Sequence, residues 1–327
     1  MVLLLQYTLI FASVLILVAL GGCFAEHSGV INLGLEGIMI MGALGGALAM
    51  RYISPNVPAI VMILGVLAIS ALVGMIYSCL LAVACINFKA DQTLVGTALN
   101  LLGTAGATVI GKAIHTAANP DDVSSIVQYA GAKKAFTVNL GSFEFSWFML
   151  VTALLLAASY VLLYKTRFGL RLMACGEHAQ AADSVGINVY KMRWAGVLIS
   201  GFLGGIGGIV FITAGVSEWR FEYGVAGFGF LSLAVMIFGQ WKPQRIALAA
   251  RLFGLFRSLA NVYMGFGFLT AMNIPSPVYN MMPYIISLIV LAFTSKRTRA
   301  PKAEGIPYDK GQRRKHIITA NRSGCGA

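Results

Sequence analysis

Long apolar runs alternate with short polar connectors along this chain, and the runs set its architecture. Stretches of about 20 apolar residues recur, each long enough to cross a hydrocarbon core of ~30 Å at ~1.5 Å per helical residue. They predict transmembrane helices near 3–22, 29–50, 58–86, 93–112, 146–164, 194–215, 225–240, 246–266 and 278–295. That makes about nine spans, within a range of eight to ten. The run near 225–240 is short for a full crossing and reads as a broken helix. The expected fold is an all-α polytopic membrane protein with some discontinuous helices. Its transmembrane domain covers 1–295 and its basic tail 296–327.

Composition agrees with the pattern. The 327 residues are 58% hydrophobic and 11% charged, with a mean hydropathy of +0.80, whereas soluble domains carry roughly 25% charged residues. Charge then orients the bundle. The connector 165–193 holds five Lys/Arg against Glu177 and Asp183, a net +3. The tail holds nine Lys/Arg against Glu304 and Asp309, a net +7. The connector 113–145 holds Lys133 and Lys134 against Asp121, Asp122 and Glu144, a net −1. Because Lys and Arg favour the cytoplasmic side, the first two segments face the cytoplasm and the third faces out. Counting back places the N-terminus outside. The overall charge of +12 thus reflects topology and contact with anionic lipid rather than nucleic acid.

Several motif-like strings lack the context their chemistry needs. Leu20-Gly21-Gly22-Cys23 has the form of a lipoprotein cleavage box, but no positive charge precedes it. Gly106-x4-Gly111-Lys112 mimics a phosphate-binding loop, yet Ala113 stands where Ser or Thr is required, at the end of a membrane span. The five cysteines form no CxxC pair, and no metal or catalytic constellation is expected. Gly201/Gly205, Gly204/Gly208 and Gly42/Gly46 are small-xxx-small pairs, which let helix backbones approach closely in a membrane.

Polar residues inside the spans are costly and therefore informative. Ser28, Asn32 and Glu36 are spaced by four, on one helix face. Thr93, Thr97, Asn100, Thr104 and Thr108 form a stripe along the fourth span, read together as a water-accessible pathway. Arg257 and Asn261 share a face of the eighth, with Arg257 near mid-depth, as an internal ion pair with Glu36 or as a substrate group. Arg251 lies nearer the cytoplasmic edge, where it can snorkel. The substrate-pathway candidates are Asn100, Thr97, Thr104, Asn32, Glu36, Arg257 and Asn261. Phe228, Phe230 and Tyr263 are aromatics that could stack on a ring, though packing is the commoner use of such residues.

The connector 165–193 is the most specific feature. Glu177 through Ser184 is alanine-rich without Pro or Gly, predicting a two-turn surface helix that Gly186 stops. Its small side chains suit docking in a groove of another protein better than insertion into lipid.

Three motifs carry a family resemblance covering residues 20–313. They are Phe24-Ala25-Glu26-His27-Ser28-Gly29-Val30-Ile31-Asn32-Leu33-Gly34-Leu35-Glu36-Gly37; Gly176-Glu177-His178 through Ala181-Ala182 and Gly186-Ile187-Asn188-Val189; and the segment Ala300 to Lys310. The chain resembles permease subunits of bacterial ABC importers, in the branch of ribose-type and branched-chain amino-acid permeases. Within that branch it is most similar to nucleoside and simple-sugar permeases. It departs from the pattern at His178, at Lys89-Ala90-Asp91-Gln92, and at Arg251 and Arg257.

The resemblance implies a multi-pass protein of the cell inner (cytoplasmic) membrane that carries a nucleoside or simple sugar and is not itself an enzyme. Its partners would be a cytoplasmic ABC ATPase subunit, a second permease subunit (a paralogue or a further copy of itself), an external substrate-binding lipoprotein and membrane lipid. ATP-Mg would sit on the ATPase, with no cofactor bound by this chain. Coupling to the ATPase would run through Gly176, Glu177, His178, Ala181, Ala182, Gly186 and Ile187. The rival reading is an ion-coupled secondary transporter using Glu36 and Arg257.

Overall fold

The computed structural model describes residues 2–53, 57–118, 120, 124–128, 136–140, 143–213, 218–262, 278, 281–282, 284–286, 288 and 300–310. Among these, ten α-helices dominate. They are α1 (Val2–His27), α2 (Leu35–Tyr52), α3 (Ala59–Ala82), α4 (Gln92–Ala118), α5 (Trp147–Lys165), α6 (Arg167–Glu177), α7 (Ala179–Ser184), α8 (Val189–Thr213), α9 (Phe228–Phe238) and α10 (Pro243–Val262). A π-helical turn, Val83–Asn87, extends α3.

Five helices among the described residues are long and apolar enough to cross a membrane: α1, α3 with its π turn, α4, α5 and α8. The expectation of nine spans is thus met only in part. α2 carries Glu36 and Arg51 near its two ends, and α10 is interrupted by Arg245, Arg251 and Arg257. The short run expected near 225–240 is α9, an apolar helix of 11 residues. Most of the run near 278–295 lies outside the described residues.

α8 is the hub, packed against α1, α2 and α3, while α1 also meets α5, α9 and α10. The glycine pairs explain how. A methyl on Gly208 would strike the Met39 carbonyl oxygen, one on Gly42 the Cα of Gly205, and one on Gly74 the Gly201 carbonyl oxygen. Where lipid supplies no hydrophobic drive between helices, such backbone contact maximises dispersion. These pairs therefore pack within the chain. The string Leu20-Gly21-Gly22-Cys23 is equally internal: Cys23 is fully buried, and its thiol donates to the Trp241 carbonyl oxygen at 3.2 Å. Lys112 of the loop-like glycine string closes α4 with an ion pair to Glu222 at 3.4 Å.

Four short strands were not anticipated from the sequence. β1 (Ile126–Gln128) pairs antiparallel with β4 (Glu218–Arg220), and β2 (Thr137–Leu140) with β3 (Phe143–Ser146). Each pair satisfies the backbone of the residues it joins. At this end a cavity of about 280 Å³ lies between α1, α5, α8 and the β2–β3 hairpin, with Gln6 Nε2 donating to Glu144 at 3.2 Å in its wall.

Candidate functional site

Two regions carry the polar chemistry: the neck where α2, α4 and α9 begin or meet, and a platform formed by α6, α7 and residues 300–310.

At the neck, the segment between α1 and α2 is non-helical, so its backbone groups need partners that a membrane does not supply. Buried side chains provide them. Asn32 donates from Nδ2 to the Ser200 hydroxyl at 2.8 Å and accepts from the Gly34 amide at 3.1 Å. Asn100 accepts from the Gly37 amide and donates to the Leu33 carbonyl, each at 2.8 Å. Gln92 accepts from the Ile31 amide at 2.6 Å.

Glu36 caps a different helix. α9 starts after Ala226 and Gly227 in left-handed conformation, at φ 54° and 77°. Helix N-terminal amides are unpaired and carry partial positive charge. The Glu36 carboxylate accepts from the Gly227 amide at 2.8 Å and from the Gly229 amide at 2.6 Å. Tyr284 donates to the Ala226 carbonyl oxygen at 2.9 Å, holding the turn. The far end of α9 is anchored by the same sequence motif and the residue before it: Trp241 Nε1 donates to Glu26, and the Trp241 carbonyl oxygen meets His27 Nε2 and the Cys23 thiol. Residues 24–37 therefore staple a short apolar helix at both ends.

Among the described residues no ion pair joins Glu36 to Arg257. The Arg257 guanidinium instead lies 5.6 Å from the Phe228 ring centre and 5.9 Å from that of Phe11. Phe228 itself is buried against Phe211 and Phe11, while Phe230 is exposed. Tyr263 lies outside the described residues.

The threonine stripe differs from the asparagines. Thr97 is exposed and bonds back to the Thr93 and Leu94 carbonyls, Thr104 to Asn100 and Thr108 to Thr104. These hydroxyls make no tertiary contact through those bonds, so they remain on the α4 surface. Asn261 and Arg251 on α10 are also exposed.

The platform begins with α6, capped by the Thr166 hydroxyl accepting from the Gly169 amide at 3.2 Å. It runs directly beneath α1, where a methyl on Gly176 would strike the His27 carbonyl oxygen. Sequence reading expected one helix over 177–184; the structure has α6 ending at Glu177, a break at His178, and then α7. Gly186, at φ 86°, stops α7 as expected, and the Ile187 amide returns to the Ala182 carbonyl at 3.1 Å. α7 buries Ala179 and Ala182 against Cys175, Val189 and Tyr308. It leaves Gln180, Ala181, Ser184, Val185 and Gly186 exposed, beside the exposed Glu177 and His178.

Residues 300–310 fold back on this platform as a strap. The Ala303 amide donates to the Gly176 carbonyl at 2.8 Å, the Tyr308 ring meets that of Tyr190 edge-on at 5.2 Å, and Asp309 pairs with Lys89 at 3.3 Å. Gly305 turns at φ 75° against Ile31. Burial pushes the Glu304 carboxyl up from its ordinary 4.5 to about 7. Burial likewise raises the Cys175 thiol to about 11 and, helped by Asp183, the Tyr308 phenol to about 12. The sequence marks the strap only as a motif of the resemblance and Arg193 only as cytoplasmic positive charge, so neither is predicted as a site element.

The profile of the family described as "Branched-chain amino acid transport system / permease component" matches residues 4–293. The chain is 39% identical over 312 residues to the guanosine ABC transporter permease protein NupQ of Bacillus subtilis, covering 94% of this chain and 96% of that one. It is 38% identical over 309 residues to the nucleoside ABC transporter permease protein NupC of Lactococcus lactis, covering 93% and 96% respectively.

Proposed function

The chain belongs to the family of branched-chain amino acid transport system permease components, and from that membership we propose that it is a membrane subunit of an ABC importer whose cargo is a nucleoside. The near end-to-end likeness to two permeases named for guanosine and nucleoside transport carries the choice of cargo over a simple sugar. In this reading the protein sits in the cytoplasmic membrane with about nine spans, some of them discontinuous. It works beside a second permease subunit, receives cargo from an external binding lipoprotein, and binds no ATP itself.

The platform geometry supports the drive from below. Gly176, Glu177, His178, Ala181, Ala182, Gly186 and Ile187 form one surface, half of it exposed and half locked against the bundle. A push on α7 from a cytoplasmic ATPase reaches α1 through Gly176 and α8 through Val189. At the neck, Asn32, Glu36 and Asn100 hold the non-helical backbone in shape. In this reading Thr97, Thr104, Asn261 and Arg257 line the route. Glu36 is already committed to the end of α9, which favours a conduit over an ion-coupled carrier.

The test is uptake into vesicles containing this chain, its companion permease and the ATPase, fed by the binding protein. ATP-dependent accumulation of guanosine, abolished by excess unlabelled nucleoside but not by glucose, is the expected result. Accumulation driven by an ion gradient with the ATPase omitted overturns the proposal.

A further inference from the structure

The groove between α7 and the strap has a cation at its floor without a hydrogen-bond acceptor at one nitrogen. Arg193, in the second turn of α8, is 2% exposed. Its Nε is buried with no hydrogen-bond partner. The ion pairs among the described residues, Lys89–Asp309 and Lys112–Glu222, do not involve it. Tyr308 presents its ring face 6.0 Å from the guanidinium carbon. A charge removed from water needs both an opposite charge and satisfied donors, or it destabilises the fold that holds it. An arginine kept this way calls for an acceptor from outside the chain.

The groove, about 300 Å³, lies at the lower end of the range of small-ligand pockets and accommodates a carboxylate side chain. Lys302 and His178 add donors at its rim, with Glu177 and Asp309 as the rim acids. Asp309 is held by Lys89, and Glu177 is exposed at the end of α6. The planar guanidinium fork matches a carboxylate, whereas those two rim acids disfavour a multiply charged phosphate. The groove also adjoins the exposed face of α7.

We propose that this groove receives an Asp or Glu side chain of the ATPase subunit, whose carboxylate completes the hydrogen bonding of Arg193 when α7 docks. The inference rests on the ABC-importer reading and names a contact within it. Arg193 thereby acts as a positioning residue, fixing the register of the docked ATPase against α8.

The test uses the full complex in lipid nanodiscs. Zero-length carbodiimide coupling joins an amine only to a carboxylate already touching it. It is expected to link Lys302 to an Asp or Glu of the ATPase, read by mass spectrometry on the unmodified chain, so the result stands even if a variant misfolds. Arg193→Met should weaken ATPase association by about a hundredfold, and Arg193→Lys should restore part of that loss. Lys302 links confined to this chain or to anionic lipid, or an Arg193→Met complex of unchanged affinity, overturn the proposal. An unmodified complex that retains no ATPase at all overturns the importer reading instead.

Discussion

Glu36 at the mouth of α9 and Arg193 beneath α7 are 8% and 2% exposed, yet the fold treats them in opposite ways. Both carboxylate oxygens of Glu36 accept backbone amides within the chain, so its acceptors are filled locally and the site is closed. The Nε of Arg193 has no acceptor, so its cost is offset only in part, by an aromatic face. A charge completed from within marks a joint that holds one shape. A charge left incomplete at a groove marks a place where something else arrives. This difference, more than burial itself, separates the scaffold of the neck from the working surface of the platform.

The largest test of the contrast is Glu36→Ala. It removes the acceptor of two amides at the start of α9, each bond to a carboxylate being worth about 1.5–3 kcal/mol. We expect a loss of about 3 kcal/mol or more, read as a lower unfolding temperature in detergent, together with loss of uptake. Glu36→Gln keeps one acceptor and should recover roughly half of that. Wild-type stability in Glu36→Ala would show that α9 is held by packing alone.

Arg193→Met should move the opposite way in the isolated chain. Replacing a buried, incompletely paired charge by an apolar side chain of similar length is neutral or stabilising by about 1–3 kcal/mol. The isolated variant is expected to melt at or above the wild-type temperature while binding the ATPase poorly. A marked drop in its melting temperature would place Arg193 with Glu36 as a structural charge and erase the distinction.

These residues also show what the sequence could and could not reveal. The apolar runs made the long helices legible, because lipid enforces length and hydropathy at every crossing. The stop at Gly186 was legible because a positive φ favours glycine. Glu36 stood out as a charge inside a span, but its partner did not: the cap lies 191 residues away at Gly227, and helix-face spacing says nothing about which distant backbone end a carboxylate meets. α6 is not legible because Arg167 and Arg171 register in the sequence as topology signals, while the amphipathic helix capped by Thr166 emerges only in the fold. The strap was recognised as a motif, but its folding back onto Gly176 and Tyr190 is tertiary information.

Glu304 extends the comparison to acidity. Its carboxyl is raised to about 7 by burial. A carboxyl whose docked value exceeds its free value contributes stability that is fully present below about 4.5 and lost as pH rises through about 7. The strap should therefore protect the Ala303 amide from hydrogen exchange better at pH 5 than at pH 8. Because Glu304 is half-buried, solvent screening keeps the effect below ~1 kcal/mol. Glu304→Gln should flatten this pH profile. A profile unchanged by that substitution would remove Glu304 from the account.

Thr97 sets the lower limit of the comparison, a polar group in an apolar span that neither completes a distant backbone nor waits for a charge. Its hydroxyl bonds back to its own helix, so Thr97→Val keeps the shape and deletes only a group presented on the α4 surface. Stability should change by no more than about 0.5 kcal/mol, since such back-bonding contributes little to a helix. Uptake is the sensitive measurement: if α4 lines the route, the apparent affinity for nucleoside should fall severalfold while the ATP turnover of the complex stays as it was. Equal kinetics in Thr97→Val and wild type would move the route away from α4. The neck would then be left as scaffold throughout, with no polar residue of the stripe reserved for cargo.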